Sequence, residues 1–279
     1  MLTPGQLKEL FAKYDLAPLK RLGQNYLIDS NIKDKIIREI APEESDVILE
    51  IGPGLGALTI DLAASGAAVY AVEKDRKAVR ILQKTAGDRY PNLVLTEGDI
   101  LEFDLGSING ARKLKVVGNL PYCITTPIIE LIIGNASRIG TAVIMVQKEF
   151  ASRIMAAPGS KDYGSLACFV QYHLRPSYAF TIKRTSFFPA PEVDSSLIRL
   201  DVLERPAVKV ADEKRFFSIV RSAFNQRRKT ILNSLSRELA LDMPKSELTA
   251  LLARVGIDPS ARPETLSLQQ FADIANAAD

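Results

Sequence analysis

The chain has 279 residues, 47% of them hydrophobic and 25% charged, a balance that excludes a wholly disordered or fibrous protein. At roughly 150 residues per domain the length points to about two domains, large enough to bury a core without a disulfide or metal staple. Net charge is +3, yet seven basic and no acidic residues lie between Lys214 and Arg237, leaving the other 255 residues at −4; so local an asymmetry points to an anionic partner, nucleic acid first.

Residues 1–30 are mixed and show no clear periodicity. From Asn31, Ile32, Ile36, Ile37 and Ile40 recur at helical spacing, with Ser30 as the expected cap. A regular alternation follows. Strands are predicted over 47–51, 67–72, 93–95, 114–117 and 141–146. Helices are predicted over 57–65, 75–86, 125–133 and 148–157. Strands alternating with helices imply βαβ units and a parallel sheet. After about residue 160 the rhythm changes. Segments 166–183 and 193–202 read as strands that form an antiparallel edge of the same sheet. Glu204-Arg205-Pro206 reads as a linker, and 212–225, 228–240, 245–254 and 267–277 are helical by pattern. The expected fold class is α/β, a Rossmann-like sheet followed by a small all-α domain. Its expected division is 1–30, 31–204 and 205–279.

Glu50-Ile51-Gly52-Pro53-Gly54-Leu55-Gly56 follows the first strand and opens a helix. Glycines allow a sharp turn and close approach to a ligand, and a helix N-terminus favours a negative group. Glu73 ends the second strand, where a carboxylate can accept both hydroxyl protons of a ribose. Gly52, Gly54 and Ala57 also satisfy the loose G-x-G-x-x-G/A dinucleotide fingerprint. These residues alone leave a nicotinamide dinucleotide, S-adenosylmethionine (SAM) and a turn that holds no ligand open. Asp99, after the third strand, favours SAM, because an acid there suits an adenine amino group; alone it also reads as a turn or capping aspartate.

Gly118-Asn119-Leu120-Pro121-Tyr122 follows the fourth strand, at the carboxyl edge where open α/β sheets bind ligands. The composition suits an exocyclic amine. The adenine N6 lone pair is delocalised into the ring, so N6 is a poor nucleophile until acceptors on its N–H bonds pull it toward a pyramidal geometry. The Asn119 side-chain oxygen and a backbone carbonyl near Leu120 are such acceptors. Pro121 rigidifies the turn and contributes no N–H, and Tyr122 offers a face for stacking. The alternative is a structural Asn-x-Pro turn.

With these motifs in hand the chain resembles the rRNA adenine N6,N6-dimethyltransferase family, specifically its bacterial KsgA (RsmA) type, related to the Erm resistance methylases. Gly23-Gln24-Asn25-Tyr26-Leu27 resembles the family's GQNFL segment with Tyr for Phe. Glu50 to Thr59 is similar to its SAM loop, and Asn119-Leu120-Pro121-Tyr122 to its catalytic motif. Gln147-Lys148-Glu149, Lys161-Asp162-Tyr163-Gly164 and Phe187-Phe188-Pro189-Ala190-Pro191-Glu192-Val193-Asp194-Ser195 also match. Cys123 departs from the polar residue usual after the Tyr. The resemblance implies that Asn25, Leu27, Gly52, Gly54, Glu73, Asp99, Ile100 and Asn119 contact SAM or hold its pocket. It implies catalytic roles for Asn119, Leu120, Pro121 and Tyr122, with Phe187 stacking on the target base opposite Tyr122; a core aromatic is the other reading of Phe187. The implied reaction is dimethylation of two adjacent adenosines near the 3′ end of small-subunit rRNA, within an assembling 30S particle. Residues 1–30 are expected to close over the cofactor.

Arg221, Phe224, Arg228, Ile231 and Leu235 step along a helical pattern, and Arg227-Arg228-Lys229 opens the next helix. Arg221, Arg227, Arg228 and Lys229 are therefore candidate phosphate contacts, which supply salt-dependent affinity rather than sequence reading. A solvated basic face is the alternative. Cys123 and Cys168 lie far apart with no CxxC pair, which excludes a disulfide scaffold or Cys-rich zinc site, and a lone His173 excludes a multi-His metal site. His173, in an apolar-aromatic stretch, reads as structural. No P-loop or GxSxG elbow is present. Lys8, Glu9, Lys13 and Asp15 occupy the place of a signal peptide's apolar run, and no apolar stretch approaches 18 residues. The expectation is a cytoplasmic monomer, without metal, that works on rRNA and not at a membrane. The competing functions are a non-catalytic ribosome-assembly or RNA-binding factor, an Erm-like large-subunit methylase and a nicotinamide oxidoreductase.

Overall fold

A computed structural model describes residues 3–15, 18, 23–110, 113–226, 228–236 and 243–278. Two units divide it: Met1–Ala151 with Ser177–Val202, and Ser152–Pro176 with Leu203–Asp279.

The first unit is built on a seven-stranded sheet. Its strands are β2 (Val47–Ile51), β3 (Ala68–Glu73), β4 (Leu93–Glu97), β5 (Leu114–Asn119), β6 (Ile139–Gln147), β7 (Leu174–Ile182) and β9 (Ser195–Val202), in the order β4-β3-β2-β5-β6-β9-β7. The pairs from β4 to β6 are parallel, and β9 runs antiparallel to β6. This is the Rossmann-like α/β fold expected from the alternating pattern. Every residue of β2 is buried, because helices cover both faces of a central parallel strand. Ile48 and Leu49 are fully buried, each contributing roughly 1.5–3 kcal/mol of apolar burial. A second, two-stranded sheet pairs β1 (Tyr26–Leu27) with β8 (Phe187–Phe188) antiparallel.

Helices α2 (Ser30–Ile40), α3 (Thr59–Ala64), α4 (Arg76–Leu82), α5 (Thr125–Gly134) and α6 (Lys148–Ile154) fall where the periodicity places them. Two details differ. The cap of α2 is Asp29 rather than Ser30; its carboxylate accepts from the backbone N–H groups of Asn31 and Ile32. The helix after β3 changes to a π-helical turn over Gln83–Gly87. A helix absent from the sequence reading, α1 (Pro4–Tyr14), opens the chain. Thr3 and Gln6 form a reciprocal capping box around Pro4, and that spacing is the local signal for it.

The second unit holds α7 (Ser165–His173), α8 (Glu213–Phe224), α9 (Ile231–Leu235), α10 (Lys245–Arg254) and α11 (Leu268–Ala277). The predicted strand over 166–183 is thus corrected in its first half. Ala167, Cys168 and Tyr172 share one helical face and join Phe216, Leu252 and Phe271 in a single core. For the same reason residues 152–176 fall with the C-terminal helices, whereas the expected boundary at 204/205 assigns them to the sheet domain. His173 lies among Phe169, Tyr172 and Phe217, and burial lowers its pKa, as a structural histidine.

Candidate functional site

The carboxyl ends of β2, β3 and β5, the turn after β4 and the segment before β1 surround a cavity of about 430 Å³ in the first unit. That volume lies within the range of small-molecule and cofactor sites. The glycine loop supplies one wall. Gly52, Gly54 and Gly56 all have positive φ (65°, 56° and 85°), which residues with a Cβ rarely adopt. Gly56 is doubly constrained, since a Cβ there would lie 2.5 Å from Leu82 Cδ1 of α4.

Glu73, at the end of β3, ties this wall to the next. Its Oε2 accepts from Gly54 N–H at 2.9 Å and its Oε1 from Asp75 N–H at 2.8 Å. Burial pushes its carboxyl up, while the two N–H donors hold it down. Asp75 caps α4 and accepts from Gln24 Nε2 at 3.0 Å, so the segment before β1 is fastened to the same corner. Asp99 takes both roles weighed for it. Its Oδ1 caps the turn by accepting from Leu101 N–H, its Oδ2 accepts from Lys74 Nζ, and it lines the cavity. The Lys74 ammonium holds the Asp99 carboxyl below its usual value, so it is an anion at neutral pH.

Asn119 ends β5. Its Nδ2 donates to the Asn25 backbone carbonyl at 2.8 Å, and Asn25 Nδ2 in turn donates to the Gly23 carbonyl at 3.0 Å. Among the described residues nothing donates to Asn119 Oδ1 or to the Leu120 carbonyl. Those are the two acceptors the amine chemistry requires. The Pro121 carbonyl is occupied by Ile124 N–H and Thr125 Oγ1, which fixes the turn.

All eight residues expected at the cofactor (Asn25, Leu27, Gly52, Gly54, Glu73, Asp99, Ile100 and Asn119) line the one cavity, together with Pro121. Leu120 does not; its side chain is buried and its N–H donates to the Met145 carbonyl. Tyr122 lies outside the cavity wall, half-buried, with Oη 3.3 Å from Ser195 Oγ. Phe187 is the correction. It is 3% exposed, pairs with Leu27 in the β1–β8 ladder and belongs to the core of the first unit, so it presents no open face to a base. Alternation along the strand turns Phe187 inward and leaves Phe188 half-buried against Phe11.

Sequence reasoning left several cavity residues without a role, Gln6 and Leu7 of α1 and Glu50 among them. Glu50 is 2% exposed, and its Oε2 has no hydrogen-bond partner among the described residues. Burial pushes the Glu50 carboxyl up to about 7, with the nearby Glu73 carboxylate adding to the rise. The available signal was an acid inside the apolar run Val47-Ile48-Leu49-Glu50-Ile51.

In the second unit Arg221, Arg228 and Lys229 are exposed, and among the described residues none of them makes an ion pair. Arg227 lies outside the described residues. Among those residues no group of three or more His, Cys, Asp or Glu is placed to hold a metal, and no helix is long and apolar enough to cross a membrane.

The family described as ribosomal RNA adenine dimethylase matches residues 19–279. The ribosomal RNA small subunit methyltransferase A of Moorella thermoacetica is 45% identical over 282 residues, covering 98% of this chain and 96% of its own. The protein of the same name from Alkaliphilus oremlandii is 42% identical, with 98% and 96% covered. Among solved structures, a dimethyladenosine transferase from Plasmodium falciparum superposes with a TM-score of 0.77 at 26% identity, over 89% of this chain and 95% of its own. The 23S rRNA methyltransferase ErmE superposes with a TM-score of 0.70 at 26% identity, over 91% and 100%.

Proposed function

The chain belongs to the ribosomal RNA adenine dimethylase family, and from that premise we propose that it transfers methyl groups from SAM to N6 of two adjacent adenosines near the 3′ end of small-subunit rRNA, two per base, within the assembling 30S particle. The residues present fit the donor. The reading is supported by Glu73, buried at the end of β3 and suited to a ribose diol, and by ionised Asp99, suited to an adenine amino group. The unpartnered Glu50 Oε2 is a buried polar atom left over for a polar group of the ligand. Bound SAM supplies an electrophilic methyl carbon on a sulfonium.

The observation that carries the reading is the Asn119 amide. Because Nδ2 is committed to the Asn25 carbonyl, Oδ1 is fixed as an acceptor at the cavity. Asn119 Oδ1 and the Leu120 carbonyl accept hydrogen bonds from the two N6–H groups and localise the lone pair. The donor, once bound, would give its methyl carbon to N6 and leave as a neutral thioether. The methylated nitrogen is acidic enough to pass its proton to a carbonyl or to water, so no strong general base is needed. Catalysis is positioning and polarisation. The target base leaves its stack to reach the site, with Tyr122 as the stacking face.

The rest of the chain serves the substrate. The N-terminal segment closes over the cofactor, consistent with Gln6 and Leu7 on the cavity wall. Residues 205–279 bind RNA, with Arg221, Arg227, Arg228 and Lys229 as phosphate contacts. The protein works in the cytoplasm as a monomer.

The test is incubation with labelled SAM and small ribosomal subunits lacking this modification, followed by mass-spectrometric mapping. Dimethyladenosine at two adjacent positions near the 3′ end is the expected result. Label confined to large-subunit RNA would assign the Erm-like activity instead. SAM binding with no transfer to either RNA would leave a non-catalytic assembly factor.

A further inference from the structure

Tyr26, in β1, ends in a phenol hydroxyl. The residue lines the cavity and is 8% exposed. Its position is fixed on several sides. The backbone pairs with Phe188, and the Phe11 ring lies 5.6 Å from its own. A Cβ on Gly54 would stand 3.3 Å from Tyr26 Cε1, so the ring packs directly on the glycine loop.

The hydroxyl itself has no hydrogen-bond partner among the described residues, although it is buried. Two carboxylates are near enough to disfavour its ionisation, Asp75 and Glu73, after the larger effect of burial. Neither accepts its proton. Glu73 is engaged by Gly54 N–H and Asp75 N–H, and Asp75 by Gln24 Nε2 and the N–H groups of Lys77 and Ala78. A buried hydroxyl left unpaired is costly, and a Phe of the same shape would avoid that cost. A ligand group that reaches the hydroxyl would supply the missing partner.

We propose that the Tyr26 hydroxyl is a ribose-recognising group of the cofactor site, donating to a sugar hydroxyl whose own proton is accepted by Glu73. This rests on the reading that a nucleoside cofactor fills the cavity. The chemistry suits a vicinal diol. A sugar hydroxyl can donate to a carboxylate and accept from a phenol at once, and the two bonds polarise each other. Both Glu73 oxygens already accept backbone N–H bonds, so its carboxyl serves as an acceptor and Tyr26 adds the complementary donor.

The experiment is calorimetric titration of S-adenosylhomocysteine, and of its 2′,3′-dideoxyribose analogue, into the wild-type chain and Tyr26→Phe, with thermal melts of both proteins without ligand. The expected result is a roughly three- to tenfold weaker Kd for S-adenosylhomocysteine in Tyr26→Phe. The two proteins should bind the dideoxy analogue equally, and the unliganded variant should melt at the same or a higher temperature. Equal S-adenosylhomocysteine binding by both proteins would overturn the proposal while leaving the cofactor reading intact. A lower unliganded melting temperature with equal loss for both ligands would also overturn it, as a packing effect. No binding by the wild-type chain would overturn the cofactor reading beneath it.

Discussion

The Asn119 side chain donates to the backbone carbonyl of Asn25, 94 residues away in the chain, at 2.8 Å. One bond therefore aims the acceptor at the end of β5 and anchors the segment entering β1. Asn119→Ala should lower kcat for methyl transfer by about 10²–10³-fold, as loss of an oriented polar group at the reacting centre does. The Kd for S-adenosylhomocysteine should change by less than about tenfold, a single hydrogen bond's worth. Single-turnover transfer and calorimetry on the same preparation separate the two effects. A comparable loss in both would make Asn119 a binding residue.

Glu50 makes stability depend on pH in an unusual direction. Its folded pKa is about 7, above the ordinary carboxylate value of 4.5. The folded state therefore holds a proton that the unfolded state has released between those values. The stability this proton confers is fully present below about pH 4.5 and is lost as pH rises through 7. Glu50→Gln removes the titration. The variant should gain on the wild-type protein with rising pH, by up to roughly 3 kcal/mol above pH 8. Urea unfolding of both proteins at pH 5 and pH 8 measures this. A constant difference would show that Glu50 ionises normally.

The parts of the fold that were legible in the sequence are those where one physical cause dominates. Val47–Ile51 is buried on both faces and reads as an apolar run. The glycine loop is legible because three positive φ angles call for glycine there, and the acids at 73 and 99 because they end or follow strands at the carboxyl edge of the sheet. Misreadings occur where two causes compete. Phe169, Val170 and Tyr172 favour strand by propensity, yet α7 forms because Ala167, Cys168 and Tyr172 meet a helical core contributed by distant residues. Phe187 matches a motif, but its side is decided by pairing with Leu27. The orphaned Glu50 and Tyr26 oxygens depend on what the surrounding chain fails to provide, and no local pattern records that.

Gly56 tests the close packing of the loop. Its φ of 85° and the 2.5 Å approach to Leu82 Cδ1 oppose any side chain. Leu82 is itself fully buried, so it has little room to yield. Gly56→Ala should cost about 1–3 kcal/mol in urea unfolding, from strain and overpacking together. Gly134→Ala, where a Cβ meets nothing within 4 Å and φ is not positive, is the control and should lie within about 0.5 kcal/mol of wild type.

The exposed Arg221, Arg228 and Lys229 predict a particular salt signature. Phosphate contacts release counterions, and each neutralised phosphate adds about 0.7–0.9 to the slope of log K against log salt. Replacing all three by Ala should therefore weaken binding to small-subunit rRNA at low salt and lower that slope by about 2–3. The surface position of these side chains implies an unchanged melting temperature, and their absence from the cofactor cavity implies an unchanged Kd for S-adenosylhomocysteine. Fluorescence anisotropy across a salt series measures the slope directly. An unchanged slope with unchanged affinity would mean that these cations are only a solvated face.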